Sequence, residues 1–590
     1  MTLRRRLQAC VALITLAFLG CVGTVAGATK SIKVPTDASV DIEIISWLEF
    51  VPPTGLMPVT ISVRNHSASA GKWDVSGEDS DYLSGNMKSR FTVTAPPGGE
   101  TNTSLLVPVM PNYDSSTRGY KNVRLTIAGP GLKMSSFGSV ITSVSSSSSS
   151  SSPSKATTPF TVLSEGFDGR FGTPWKSAVN REWNGAVVRT SACPADWRGF
   201  SSIAHFYMLE GEWQTLSPPQ REALMAWVAQ GGLMVIAATS DNQALTLPES
   251  FEPDLRHGLG MVQRIAASDV VKELSSVARK GELALDKAVK SRVSPKDSLR
   301  SLIPPLRLNS TLIFIFILVF GVVVGPVNLF WLAKGSRRPR LFWTTPLISC
   351  IGTGVLIGVM ILQDGFGGTG ARVSLGLVLP QQKQMTVVQE QFSKTGILLG
   401  GAFELPPNEV AWITPVPEIR EVSTSSRGKV THTEKRSYTV SGDQFKDGWY
   451  TSRTGQSHLV NSQRLTRGGI EVGGGDSPFV ISSLNTPLRT FFYQDAQQRV
   501  WTAKAVPVGQ RTALKASTAN ALLEWKNKTV KTKMSNLMRA RIDRCVPLPD
   551  GWFFAEAAEP ARVALPTLGS IRWNEDRAFV GGLCVPAVQP

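Results

Sequence analysis

The sequence predicts a multidomain, mostly β membrane protein that carries one α/β unit and a two-helix transmembrane hairpin. Three observations predict it. Short alternating apolar runs fill both ends of the chain, a strand–helix–strand pattern lies between them, and two apolar runs of about 20 residues flank a basic loop. The 590 residues are enough for three or four domains of ~150 residues each. The formal net charge is +17, but Lys and Arg are spread along the chain and no RRM, KH or zinc-finger pattern occurs. Nucleic acid is therefore not an expected partner.

Residues 1–28 read as a signal peptide. Arg4, Arg5 and Arg6 precede an apolar run, Val11 to Gly20, and Ala26-Gly27-Ala28 offers small residues for cleavage. Lipoprotein processing before Cys21 is an alternative, disfavoured by Phe18 three places ahead, and retention as an anchor is another. All three put the following residues outside the cytoplasm. Residues 31–140 alternate as short strands: Val59, Ile61 and Val63 in one, Phe91, Val93 and Ala95 in another, with "APPGGET" as a turn. That spacing predicts an immunoglobulin-like β-sandwich. A Ser-rich linker, 141–158, follows; its serine run ends at Pro153 and reads as a flexible tether spanning roughly 15–20 Å.

Residues 159–300 change period. "PFTVLS", "GAVVRTSA" and "IAHFYMLE" read as strands, and "LSPPQREALMAWVAQGG" as a helix. Ser217 is its N-cap, Pro218 its first residue and Gln220 the far side of a capping box; Gly231 and Gly232 end it before the buried strand "LMVIAA". Strand, helix and strand in that order predict a parallel sheet. The run "CPADWRGFSSIAHFYMLEGEWQTLSPPQREALMAWVAQGGLMVIA", with "RHGLGMVQRI" after it, resembles the class I glutamine-amidotransferase-like domains of uncharacterised bacterial envelope membrane proteins. In those proteins such a domain precedes a span of the "GPVNLFW" kind and a β-rich region, so the resemblance extends to the order of parts.

The resemblance implies a fold more than an activity. Active members of that fold carry a Cys on a tight strand-to-helix elbow with a His and Glu spaced H-x-E. The weak catalytic candidate here is Cys193, which lacks flanking glycines and is followed by Pro194. Neither His205 nor His257 has a carboxylate two residues on, and the H-x-E at His432 and Glu434 belongs to another region. A catalytically empty copy is the expectation, with Cys193 a structural thiol.

Leu312–Ala333 and Leu341–Leu362 are the expected transmembrane helices (312–333 and 341–362), joined by a cytoplasmic loop, 334–340. Lys334, Arg337, Arg338 and Arg340 place that loop inside, and Phe330, Trp331, Phe342 and Trp343 flank it at interfacial depth. A soluble core hairpin would not carry a basic tip between two uncharged runs. The two spans are expected to pack closely at Gly321 against Gly354 and at Gly325 against Cys350, with Pro326 bending the first and Asn328 turned inward.

"QDGFGGTG" has G-x-G-x-x-G spacing at Gly365, Gly367 and Gly370, but a span precedes it and a strand follows, so it reads as a linker rather than a nucleotide site. Residues 371–590 are expected to form a β-rich extracytoplasmic domain. One basic amphipathic stretch in it, with Leu523, Val530, Met534, Leu537 and Ile542 near one face, is expected to cover the sheet, with a seat on anionic lipid as the alternative. Export permits disulfides, and Cys545 with Cys584 is the candidate pair. No P-loop, H-E-x-x-H, C-x-x-C or G-x-S-x-G pattern occurs, so no cofactor and no metal site are expected.

These readings favour a non-enzymatic bacterial envelope protein: multi-pass in the inner (cytoplasmic) membrane, with large domains on its extracytoplasmic side that serve binding or assembly. Membrane lipid and other envelope proteins are its expected partners. The alternatives are a cysteine-dependent hydrolase or amidotransferase relative, and a carbohydrate or cell-wall binding protein.

Overall fold

A computed structural model describes residues 30–81, 85–110, 122–142, 160–178, 185–238, 256–266, 299–303, 310–332, 335–416, 419–424, 428–433, 436–530, 534 and 536–587. The expected signal peptide, nearly all of the expected Ser-rich linker, Lys334 and Glu434 lie outside these residues. The chain is mostly β-sheet in several units, with two long apolar helices.

In the first unit, strands Lys30–Val34, Val40–Ser46, Gly55–Asn65 and Glu100–Val109 form one antiparallel sheet in that spatial order. Its inward residues, among them Ile42, Ile61 and Val63, meet Trp73, Val93 and Leu125 of a second sheet. Period-two alternation puts these side chains on one face, as the burial along Val40–Ser46 shows. The second sheet is not made by this region alone. Its strand Gly85–Ala95 pairs in parallel with Arg436–Ser441, from beyond the apolar helices.

Strands Thr161–Ser164, Gly185–Val188, His205–Leu209, Leu233–Ala237 and Gly260–Ile265 form a parallel sheet. Numbered along the chain, their spatial order is 2-1-3-4-5, with the short antiparallel strand Arg256–His257 at the edge. Helix α1 (Glu165–Ala178) joins the first two strands. Helices α2 (Glu210–Thr215) and α3 (Pro218–Ala229) join the third to the fourth. The Ser217 amide donates to Gln220 Oε1 at 3.0 Å, and Gly231 leaves α3 at φ +117°.

Helix α4 (Ser310–Val322) runs into a π-helical stretch, Val323–Leu332, which holds Pro326. Proline gives no amide to the turn before it and its ring crowds the carbonyl four back, and the wider π turn relieves both. A 3-10 turn, Gly335–Arg340, carries Arg337, Arg338 and Arg340, and helix α5 (Leu341–Asp364) returns. Both helices are long and apolar enough to cross a membrane and are almost uncovered by the rest of the chain, unlike a core hairpin. Phe330, Trp331, Phe342 and Trp343 stand exposed on either side of the turn. Asn328 is fully buried between the helices and donates to Thr345 Oγ1 at 3.0 Å.

The glycine contacts expected from the sequence are corrected here. A Cβ at Gly321, Gly325 or Gly354 would meet nothing within 4 Å, and Cys350 is exposed. The close approach is at Gly352, which receives the Phe320 ring. Matching residues by depth assumed uniform α-helical rise, whereas the π stretch alters rise and phase and turns the small residues away from the partner.

Among the described residues nine strands form the last large sheet, in which Gly368–Leu379 pairs antiparallel with Gln384–Thr395 and in parallel with the middle strand, Ile571–Leu583. The basic stretch forms two helices, α6 (Ala519–Val530) and α7 (Asn536–Cys545), rather than one. Leu522, Met534, Met538 and Ile542 pack with Val373 and Phe554 of that sheet. The proposed Cys545–Cys584 bridge is absent: both thiols are free. Cys545 belongs to the core beneath α7, and Cys584 packs against a different core.

Candidate binding site at the junction of three units

In a doubly wound sheet of order 2-1-3-4-5, ligands bind beyond the carboxyl ends of strands 1 and 3, where the winding reverses. Here those ends are Ser164 and Leu209. The crevice between them is filled from within. The Gly166 and Leu209 amides each donate to the Glu212 carboxylate at 2.9 Å, and the Ser164 hydroxyl donates to it as well. Glu212 thus occupies the anion position at the N-terminus of α1, the place an oxyanion or phosphate would take. A Cβ at Gly166 would lie 2.7 Å from the Glu212 carboxyl carbon, so this glycine admits the plug.

Cys193 lies elsewhere. It follows a 3-10 turn, Thr190–Ala192, in extended backbone at φ −55° and ψ 139°, so it stands on no strand-to-helix elbow. Gln220, the capping-box residue of α3, also donates to the Cys193 carbonyl at 2.8 Å and ties this loop down. The thiol is free and 5% exposed. Burial pushes its pKa far up, and the Glu212 charge adds to the shift. Burial of this kind disfavours the thiolate that nucleophilic attack requires. His205 begins its strand, at the opposite end of the sheet from Ser164, and burial, aided by the Arg544 charge, lowers its pKa to about 4. His257 sits in the edge strand, lowered to about 4 by burial.

What Cys193 does line is a cavity of about 540 Å³ between the sandwich, the α/β unit and the last β unit. No histidine is among its lining residues. Trp47, Phe91, Trp412 and Phe445 are the aromatic residues among its lining. Arg198 supplies charge: its Nε and Nη2 donate to Asp196 Oδ2 at 3.0 and 2.8 Å, and Asp443 lies 3.6 Å away. The walls are firmly joined. Trp47 of the sandwich meets Phe200 edge-on at 5.3 Å, its Nε1 donates to the Arg189 carbonyl at 3.2 Å, and the Leu56 amide donates to Ser201 Oγ at 2.9 Å. Gly55, at φ +93°, lets the backbones touch, since a Cβ there would lie 2.7 Å from the Ser202 amide.

Of the candidate site residues named from the sequence, the structure brings only Cys193 to this cavity. Asp443 was missed because its partner Arg198 lies more than 200 residues away in the chain; Asp196 and Arg198 are two residues apart, but nothing in their spacing announces a cavity. Glu212 had one local signal, a Glu three residues after the end of a strand, the position from which a carboxylate caps a helix start. Among the described residues no group of His, Cys, Asp and Glu could hold a metal ion.

No protein-family model and no curated protein matches the chain. Solved structures resemble it only weakly. A Paenibacillus cycloisomaltooligosaccharide glucanotransferase complexed with cycloisomaltoheptaose aligns at 10% identity and TM-score 0.16, over 74% of this chain and 72% of that one. Bacteroides uniformis beta-glucuronidase 2 aligns at 9% identity and TM-score 0.14, over 36% of this chain and 24% of that one. An Amycolatopsis orientalis exo-chitosanase aligns at 10% identity and TM-score 0.13, over 43% and 26%. Scores this low carry nothing over to this chain, whose function rests on its own junction and hairpin.

Proposed function

We propose that this protein is a non-enzymatic, membrane-anchored envelope protein of bacteria whose extracytoplasmic units bind a small ligand where they meet. One observation carries the reading: the crevice in which this class of sheet works is plugged by Glu212, while a cavity with no histidine among its described lining residues remains between the units. The α/β unit is then a glutamine-amidotransferase-like copy that has kept its frame and lost its chemistry. Its 2-1-3-4-5 order supports that, as does the resting thiol of Cys193. The sandwich is of the immunoglobulin-like kind, and other envelope proteins are the partners that such units would assemble with.

The hairpin crosses the inner membrane twice, with its turn in the cytoplasm. Its apolar exposure and the basic turn flanked by aromatic rings support this. The check is labelling by an impermeant thiol reagent in intact spheroplasts. Cysteine placed at Ser69, exposed on the sandwich, should react and cysteine at Ser336 should not; the reverse would end the reading.

A saccharide is the ligand class the cavity favours, because aromatic side chains beside an Arg and two carboxylates suit a ring that is apolar on its faces and hydroxylated at its edge. Cell-wall oligosaccharides titrated into the solubilised full chain should raise its Tm. Arg198→Ala should abolish the rise. A panel that gives no shift would sink the saccharide, and a thiol-dependent turnover lost in Cys193→Ser would sink the non-enzymatic reading.

A further inference from the structure

We propose that the last β unit stands directly on the bilayer through an apolar foot formed by Phe366 and Leu399, an inference that rests on the membrane-spanning reading of the hairpin. Helix α5 ends at Asp364, so Phe366 follows the helix by two residues and cannot lie more than about 7 Å beyond its end, a few residues past the apolar run. Gly365 at φ +68° and Gly367 at φ +80° turn the chain there, straight into strand Gly368–Leu379. Between those glycines Phe366 is left 64% exposed.

A loop of the same unit comes down beside it. Phe366 forms a β-bridge with Ile397, the Gly367 amide donates to the Ile397 carbonyl at 3.0 Å, and the Ile397 amide donates to the Gly365 carbonyl at 3.0 Å. Two residues further on, Leu399 is 95% exposed. The loop is propped from behind rather than hanging free. The Arg453 amide donates to the Gly396 carbonyl at 2.9 Å, and the Leu398 amide to Ser452 Oγ at 2.9 Å. A propped loop that offers leucine to water is poorly suited to a solvated surface and well suited to an interface.

The sheet register extends the foot into a rim. Gly368 pairs with Thr395 and with Ile571, and Lys394 pairs with Gly455, so these strands share one end, and that end faces the hairpin. Arg453 and Arg572 are exposed along it. Guanidinium groups beside an apolar foot match the phosphates that lie just above the acyl boundary. The same strands put Lys383 at the opposite end, beyond Leu379 and Gln384. Seated this way, the unit would hold a fixed orientation instead of swinging on two helices.

The test uses the full chain in phospholipid nanodiscs, with the photoreactive residue benzoylphenylalanine placed singly at positions 330, 366, 399 and 383. Lipid adducts are read by mass spectrometry after illumination. Adducts at 330, 366 and 399 and none at 383 are the expected result. Adducts at 330 without any at 366 and 399 would overturn the foot and leave the hairpin reading standing. No adduct at 330 would overturn both, and adducts at 383 matching those at 399 would overturn the foot as well.

Discussion

His458, His205 and His257 are shut away from water, and each is held neutral by that burial before any neighbour acts. Burial brings His458 to about 3, with the Arg436 charge pushing the same way and a backbone hydrogen bond at Trp449 opposing. His205 and His257 come to about 4. In the unfolded chain all three would titrate near 6.5. As pH falls through that value the unfolded state takes up protons that the folded state refuses, so stability is lost between about 6.5 and 4 and is whole above 6.5. Each histidine contributes a slope on the order of 1.4 kcal/mol per pH unit inside that window. Denaturant unfolding at pH 7.5, 6, 5 and 4.5 checks it, and His458→Gln, which keeps an acceptor for Gln391, should flatten the slope by about one proton. An unchanged slope would mean that His458 is hydrated in the folded state. At the same scale, Cys193 should resist iodoacetamide at pH 8 until the protein is unfolded, because burial keeps its thiol protonated.

Helix α1 shows how a half-buried carboxylate can define an element. Its sequence, "EGFDGRFGTPWKSA", holds three glycines and Pro174, which argue against a helix by propensity, and the sequence reading passed over it. It forms because Phe167, Phe171 and Trp175 make a stripe that packs against Tyr207, and because Glu212 accepts the Gly166 amide while the Ser164 hydroxyl accepts that of Phe167. Glu212→Ala should therefore cost on the order of 3 kcal/mol and strip amide-exchange protection from Glu165–Ala178 before the rest of the sheet. Retained protection there would show that packing alone suffices. Helix α3 was legible for the opposite reason: its cap, first proline and terminal glycines are all local. The same contrast runs through the hairpin. Two apolar runs and a basic turn can be read from the sequence, but the face each helix gives its partner depends on the π stretch around Pro326, which no side-chain spacing announces. Gly352→Leu, which would drive a side chain into Phe320, should separate the helices, whereas Gly354→Leu should be tolerated. A cysteine pair at Asn328 and Thr345, tested for crosslinking in each background, distinguishes the two.

At the scale of the whole molecule, the units are less separable than the sequence implies. The order of sandwich, α/β unit, hairpin and last β unit can be read along the chain. What could not be read is that Arg436–Ser441, which pairs on one side with its neighbour Gln444–Phe445, becomes on the other a parallel strand of the sandwich, because strand pairing across about 350 residues leaves no local signature. Gly85 makes that splice possible. It sits at φ +105°, where a side chain is strained by about 1–3 kcal/mol, and a Cβ there would also run into the Arg436 carbonyl. Gly85→Ala should consequently do more than destabilise the sandwich. It should release the sandwich from the last β unit and open the junction cavity, since Val440, Gly442 and Asp443 line that cavity from the spliced segment. Cysteines at Asn86 and Ser437, which are register partners, report the splice directly. They should crosslink under mild oxidation in the otherwise unaltered chain and lose most of that yield when Gly85→Ala is added, with any ligand-induced rise in Tm lost in parallel. Crosslinking that survives Gly85→Ala would mean the two strands hold together without the glycine. No crosslinking in either chain would mean that the sandwich moves freely on its tether, and a cavity that needs three walls at once would then have no standing as a binding site.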